Sequence, residues 1–138
     1  MRAILCLLLC VSLWPGKAVS KDDEYTVLNA YFSVFETKSA NDLPLSEDAT
    51  FYGALLPEPI VGREAIIAFL NRVAPSVELK EVKQAFEGES GACAELVFTF
   101  SGAGVTLEEA HCLKIDEGQI VSIRLYYDPR PLLEASGS

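Results

Sequence analysis

The sequence is short of positive charge. Of its 138 residues 11 are basic and 20 are acidic, a net charge of −9. A protein that displaces counterions from phosphates needs clustered Lys and Arg, so nucleic acid is not an expected partner. Metal ligands are equally scarce: there is one histidine, and none of the four cysteines forms a Cys-x-x-Cys pair. Zinc wants three or four nitrogen or sulfur ligands, so no metal site is expected, and nothing in the sequence calls for a cofactor. Charged residues make up only 22% against 50% apolar, which is not the balance of a disordered chain. Repeats, low-complexity tracts and linkers are also missing, and the length suits a single domain.

What is present begins with a segment that does not look like part of a fold. Met1-Arg2 is basic, Ala3 to Trp14 is a nearly unbroken apolar run, and Pro15-Gly16 breaks it before Ala18-Val19-Ser20. Small residues at that point are what a signal peptidase reads, so residues 1–20 are expected to be a signal peptide cleaved near Ser20, leaving a secreted or periplasmic protein. The twelve-residue run is too short for the ~30 Å of hydrocarbon in a bilayer. Residues 21–138 then form one domain with no stable membrane span. Cleavage removes Arg2, Lys17, Cys6 and Cys10, leaving 118 residues with 9 basic and 20 acidic side chains and a net charge of −11. Cys93 and Cys112 remain, in a compartment that permits disulfides.

The remaining chain changes period half-way. Val27, Leu28, Tyr31, Val34 and Phe35 form one helical stripe within Asp22 to Lys38. The acidic residues 22–24 suit its first turn. A brief strand is expected at Ala49 to Tyr52, then a loop with Pro57 and Pro59. Gly62 opens a second helix with Ala65, Ile66, Phe69, Leu70 and Val73 on one face, stopped by Pro75. From there the period is two. Strands are expected at Val77 to Glu87, with a bulge near Glu81, and at Ala92 to Phe100, Val105 to Ile115 and Gln119 to Tyr127. Helices first and an antiparallel meander after them make the class α+β.

If residues 101–104 form the loop of the central hairpin, Phe100 faces Val105 and the register of the pair is fixed. Phe98 then faces Leu107, Leu96 faces Glu109 and Ala94 faces His111, all on one sheet face. Cys93 and Cys112 are directly opposed on the other face. Their Cβ atoms would lie near the ~4 Å that a disulfide requires, and a Cys93–Cys112 bridge is expected. The alternative is two reduced thiols packed under a helix. Glu109 and His111 on a mostly apolar face are what a ligand pocket tends to contain. The plainer alternative puts Glu109 at the sheet rim and makes His111 a structural histidine.

Two stretches resemble a known family. Asp48-Ala49-Thr50-Phe51-Tyr52, followed after nine residues by Gly62-Arg63-Glu64-Ala65-Ile66-Ile67-Ala68-Phe69, and the ending from Gly118 to Asp128 resemble the NTF2-like superfamily. Within it they look most like SnoaL-like polyketide cyclases and ketosteroid isomerases. The resemblance spans residues 24–132. It implies an NTF2-like cone: a curved antiparallel sheet wrapped around N-terminal helices, with an apolar cavity. It places Tyr31 at the isomerases' oxyanion-hole tyrosine and His111 at their oxyanion acid. Their catalytic base falls at Gly53, which has no proton acceptor, so isomerase activity of that type is not expected. Asp128 matches the acid-base carboxylate of the Tyr-x-Asp ending in type; its alternative role is pairing with Arg130 or Arg124 at the rim.

The cavity lining expected from these readings has two parts. Phe35, Phe69 and Tyr127 come from the helices and the last strand. Leu96, Phe98, Glu109, Leu113 and Ile123 come from the inward face of the sheet. Two functions stay open: an exported domain that binds a small apolar molecule, or an isomerase, cyclase or hydrolase in which Tyr31, His111 and a pocket carboxylate act together. An interaction module that forms a homodimer through the open sheet face is a third.

Overall fold

The computed structural model describes residues 21–137, and the side chains of residues 21–23 lie outside that description. The expected signal sequence, residues 1–20, is outside the described residues, as are the side chains of two of the three expected acidic residues at the first helix start.

Helix α1 (Lys21–Thr37) forms where the 3.6-residue stripe lies. Val27, Leu28, Tyr31, Val34 and Phe35 are all buried, and each such side chain contributes roughly 1.5–3 kcal/mol by leaving water. The helix ends at Lys38, whose φ of 62° turns the chain out of the helix. Next come β1 (Leu45–Tyr52), the two-residue β2 (Ile60–Val61) and α2 (Arg63–Val73). Arg63 Nε donates to the Leu45 carbonyl at 2.8 Å and ties the start of α2 to β1. One 3-10 turn at Ala74–Ser76 leads into β3 (Val77–Gly88), β4 (Gly91–Phe100), β5 (Val105–Asp116) and β6 (Gln119–Tyr126), and a short α3 (Arg130–Ala135) closes the chain.

The strands make one six-stranded sheet in the order β2-β1-β6-β5-β4-β3. The meander is antiparallel, as its alternating pattern implies, but β1 joins β6 in parallel. The hairpin register runs unbroken from Phe100↔Val105 to Gly91↔Lys114, so Ala94 faces His111 and Leu96 faces Glu109. Cys93 faces Cys112, and the two are joined by a disulfide. The register of β3 slips twice against β4, between Leu79 and Glu81 and between Val82 and Gln84. Each slip adds a residue on one side, which bends and twists the strand. The curled sheet receives α1 against β3, β4 and β5, while α2 lies on β1. The result is an α+β cone whose narrow end is filled by core side chains.

Three local features go beyond the period and turn signals of the sequence. Residues 53–61 contain β2, anchored by Thr50↔Val61 and Phe51↔Ile60. Pro129 and Pro131 do more than end β6, because they open α3, where a missing N–H costs nothing in the first turn. Strict alternation along β6 puts Val121 inward. A register shift between Lys114 and Ile115 instead makes Ile120 and Ile123 the buried pair and leaves Val121 half-exposed.

Candidate functional site

The open end of the cone holds a cavity of about 360 Å³. Each layer supplies part of its wall. Helix α1 gives Tyr31 and Phe35, and α2 gives Phe69, Leu70 and Val73. The sheet gives Phe51, Phe98, Phe100 and Leu125. Leu55 and Leu56 from the β1–β2 loop and Leu132 from α3 line its mouth. Gly53 also lines it, and a Cβ there would lie 3.3 Å from Leu56 Cδ1.

Into this apolar wall the hairpin sets one polar cluster. Glu109 and His111 are two apart on β5, so both point inward from the same strand face. Tyr31 reaches them from α1, with its hydroxyl 2.8 Å from His111 Nδ1. His111 Nε2 lies 2.6 Å from Glu109 Oε2. Relative exposure is 0% for Tyr31, 5% for Glu109 and 2% for His111. The imidazole is stacked on Phe98, with centroids 5.2 Å apart and planes 17° apart, so its orientation is held from the side as well as by its two hydrogen bonds.

The directions of these hydrogen bonds follow from chemistry. A carboxylate only accepts, so Nε2–H donates to Glu109 Oε2. Burial, followed by the nearby Glu109 charge, pushes the Tyr31 phenol far above its ordinary pKa. Tyr31 therefore keeps its proton, and in the tautomer that carries its proton on Nε2 the Tyr31 O–H donates to Nδ1. Both bonds then point toward Glu109. Its second oxygen, Oε1, is buried and has no hydrogen-bond partner. Tyr127, half-buried across the cavity, is also pushed up, first by burial and then by the Glu109 charge, with a backbone hydrogen bond at Leu55 acting the other way.

The expected site residues divide accordingly. Tyr31 and His111 meet in the cavity, and Phe35, Phe69, Phe98, Glu109 and Tyr127 line it. Leu96, Leu113 and Ile123 are on the correct face but are buried in the core and absent from the cavity wall. Asp128 is corrected to a rim residue. Its carboxylate takes three hydrogen bonds of 2.6–3.0 Å from the Arg130 guanidinium and one of 3.0 Å from the Arg130 backbone N–H. That pairing holds it down at about 2. The lining leucines 55, 56 and 132 carried no signal in the sequence beyond being apolar; the Pro-x-Pro helix start could have pointed to Leu132.

No group of three or more His, Cys, Asp or Glu suited to a metal ion occurs among the described residues, and no helix among them is long and apolar enough to cross a membrane. Residues 28–123 match the model of the SnoaL-like domain family. No curated protein matches the sequence. Among solved structures, the chain is similar to an NTF2-like protein of unknown function from Cytophaga hutchinsonii, at 21% identity and a TM-score of 0.69, covering 80% of this chain and 94% of that one. An NTF2-like protein from Burkholderia pseudomallei aligns at 14% identity with a TM-score of 0.72, covering 84% and 98%. A protein with a ketosteroid isomerase-like fold from Catenulispora acidiphila, solved with trimethylamine, aligns at 21% identity and a TM-score of 0.67, covering 80% and 92%. At these identities the likeness establishes the fold.

Proposed function

The chain belongs to the SnoaL-like domain family, and we propose that it binds a small, largely apolar molecule in its cone, with one polar group of that molecule at Tyr31–His111–Glu109. The observation that carries this reading is the composition of the wall. A cavity of about 360 Å³ is lined by aromatic and aliphatic side chains around a single buried polar cluster. Few and convergent polar groups in an apolar pocket suit orientation of a ligand. The test is thermal stabilisation by a panel of ketosteroids, epoxides and polyketide-type aldol substrates, with turnover measured in parallel. Stabilisation without turnover supports a binder. If no compound stabilises the protein, the reading fails.

A second reading, acid–base catalysis, is favoured by the unbroken hydrogen-bond chain. With His111 protonated, Nδ1–H would donate to the Tyr31 oxygen and release the Tyr31 O–H toward a substrate oxygen. As negative charge grows there, the phenol proton crosses to it, the Nδ1 proton replaces it on Tyr31, and neutral His111 remains. Glu109 would hold the Nε2–H throughout. Turnover that disappears in His111→Ala supports this reading.

Export is part of the proposal. It is supported by the apolar run from Ala3 to Trp14, by the small residues before Lys21 and by the Cys93–Cys112 bridge, since such bonds persist outside reducing compartments. N-terminal sequencing of the protein from its producing cells should begin at Lys21. An intact residue 1–20 segment together with free thiols would overturn it.

A further inference from the structure

The hydrogen-bond polarity of the cluster restricts what the cavity can hold. In the tautomer with the proton on Nε2, Tyr31 O–H is committed to His111 Nδ1 and His111 Nε2–H to Glu109 Oε2. Glu109 Oε1 is left as an unused acceptor on a side chain only 5% exposed. The cluster therefore offers an acceptor and no free donor to a bound molecule. The basic group beside it is the His111 imidazole. Glu109 is the only carboxylate of the wall, and no Lys or Arg lines the cavity among the described residues. A buried carboxylate with an unfilled acceptor site is complemented by a cation that carries an N–H. The rings around it act in the same sense. Tyr31, Phe35 and Phe98 lie beside the cluster, with Phe35 and Phe98 centroids 4.8 Å apart, and Tyr127 also lines the cavity. The negative face of an aromatic ring attracts a desolvated cation.

We propose that the occupant is a hydrophobic amine bound as its ammonium ion, which donates an N–H to Glu109 Oε1 while its apolar body lies against the aromatic wall. The proposal rests on the reading of the cavity as a ligand site. A neutral ketone lacks the donor that Oε1 requires. A neutral alcohol supplies a donor without charge. The carboxylate is already desolvated before the ligand arrives, so binding a cation adds its attraction without a second burial of Glu109.

Three size-matched probes test it: phenylbutylamine, phenylbutanol and benzylacetone, titrated calorimetrically into the wild-type protein near neutral pH. The amine should bind about ten- to a hundredfold more tightly than the alcohol, the range of a charge-assisted hydrogen bond. The trimethylated ammonium derivative, which has no N–H, should lose most of that margin. Glu109→Gln puts an NH₂ where Oε1 was while still accepting from His111. It should bring the amine to the level of the alcohol. If the alcohol or the ketone binds the wild type as tightly as the amine, the amine assignment is overturned and the cavity reading survives. An amine margin that persists in Glu109→Gln overturns the assignment in the same way. If none of the probes binds, the cavity reading fails and the assignment with it. The comparison among probes on wild type stands even if the variant does not fold.

Discussion

Replacing His111 by Leu should cost far more stability than replacing His111 and Glu109 together. In the single variant the Glu109 carboxylate, 5% exposed, loses the hydrogen bond to Oε2 while Oε1 already has none. A buried charge stripped of its partner costs about 3–5 kcal/mol. Glu109→Leu leaves only a neutral Nε2–H without an acceptor, about 1–3 kcal/mol, partly offset by burial of the new leucine. The double variant removes the charge and both ring-nitrogen demands, leaving one phenol hydroxyl to find water at the cavity. Its stability should fall within about 2 kcal/mol of wild type on either side. For a domain of this length about 4 °C of Tm corresponds to 1 kcal/mol, so His111→Leu should melt some 12–20 °C below wild type. Urea denaturation of the four proteins at neutral pH closes the double-mutant cycle. A double variant as unstable as His111→Leu, or a His111→Leu cost below about 1 kcal/mol, would refute the view of Glu109 as a charge held in the wall by His111.

Other outcomes are open to measurement. Tyr31 has a pKa above its ordinary 10.0 when folded, so the unfolded chain releases this proton first. Stability from Tyr31 is therefore intact below pH 10.0 and falls as pH rises past it, by about 1.4 kcal/mol per pH unit. Tyrosinate absorbance should accordingly report Tyr31 ionising together with unfolding, and Tyr31→Phe should flatten the alkaline limb. Gly91→Ala should destabilise by about 3 kcal/mol or more, because its Cβ would meet the Leu113 carbonyl oxygen at 1.9 Å; a normal melting curve for that variant would contradict the close approach of β4 to β5. Removing the disulfide by Cys93→Ser with Cys112→Ser should lower stability by about 3 kcal/mol, the loop-closure value for residues 19 apart, as read by denaturant midpoint. Asp128→Asn should leave turnover of any identified substrate unchanged, and a variant that abolishes turnover would return Asp128 to the chemistry.

Much of the fold was readable because short-range rules decide it. The α1 stripe, the turn at residues 101–104 and the alternation of β4 and β5 together force Cys93 opposite Cys112 and His111 onto the face of Glu109. The face of a strand residue is a local property. Its depth in a cone is not, because depth depends on where the sheet curls and which helix covers it. That is why Leu96, Leu113 and Ile123 share a face with the cavity residues yet lie in the core. The single extra residue in β6 is invisible for the same reason. The adjacent apolar pair Ile120-Val121 leaves open which of them turns inward, and only pairing with β5 reveals that Ile120 does, together with Ile123.

Two carboxylates stood as candidates for the same pocket, and their surroundings separate them. Asp128 precedes a Pro-opened helix. It accepts the Arg130 backbone N–H at 3.0 Å and grips the same residue's guanidinium, so both oxygens are occupied in the solvent-facing start of α3. What this achieves is positional, because α3 carries Leu132 to the mouth of the cavity. Glu109 has the opposite situation: no Lys or Arg beside it in the cavity wall, one imidazole partner and one oxygen with nothing. An apolar side chain would fill the same place with less cost to folding. A polar group kept at that depth, with an acceptor left unfilled and three aromatic rings beside it, makes physical sense when something else arrives to complete it. The carboxylate at the rim is saturated by Arg130, and the one in the wall keeps an oxygen without a partner.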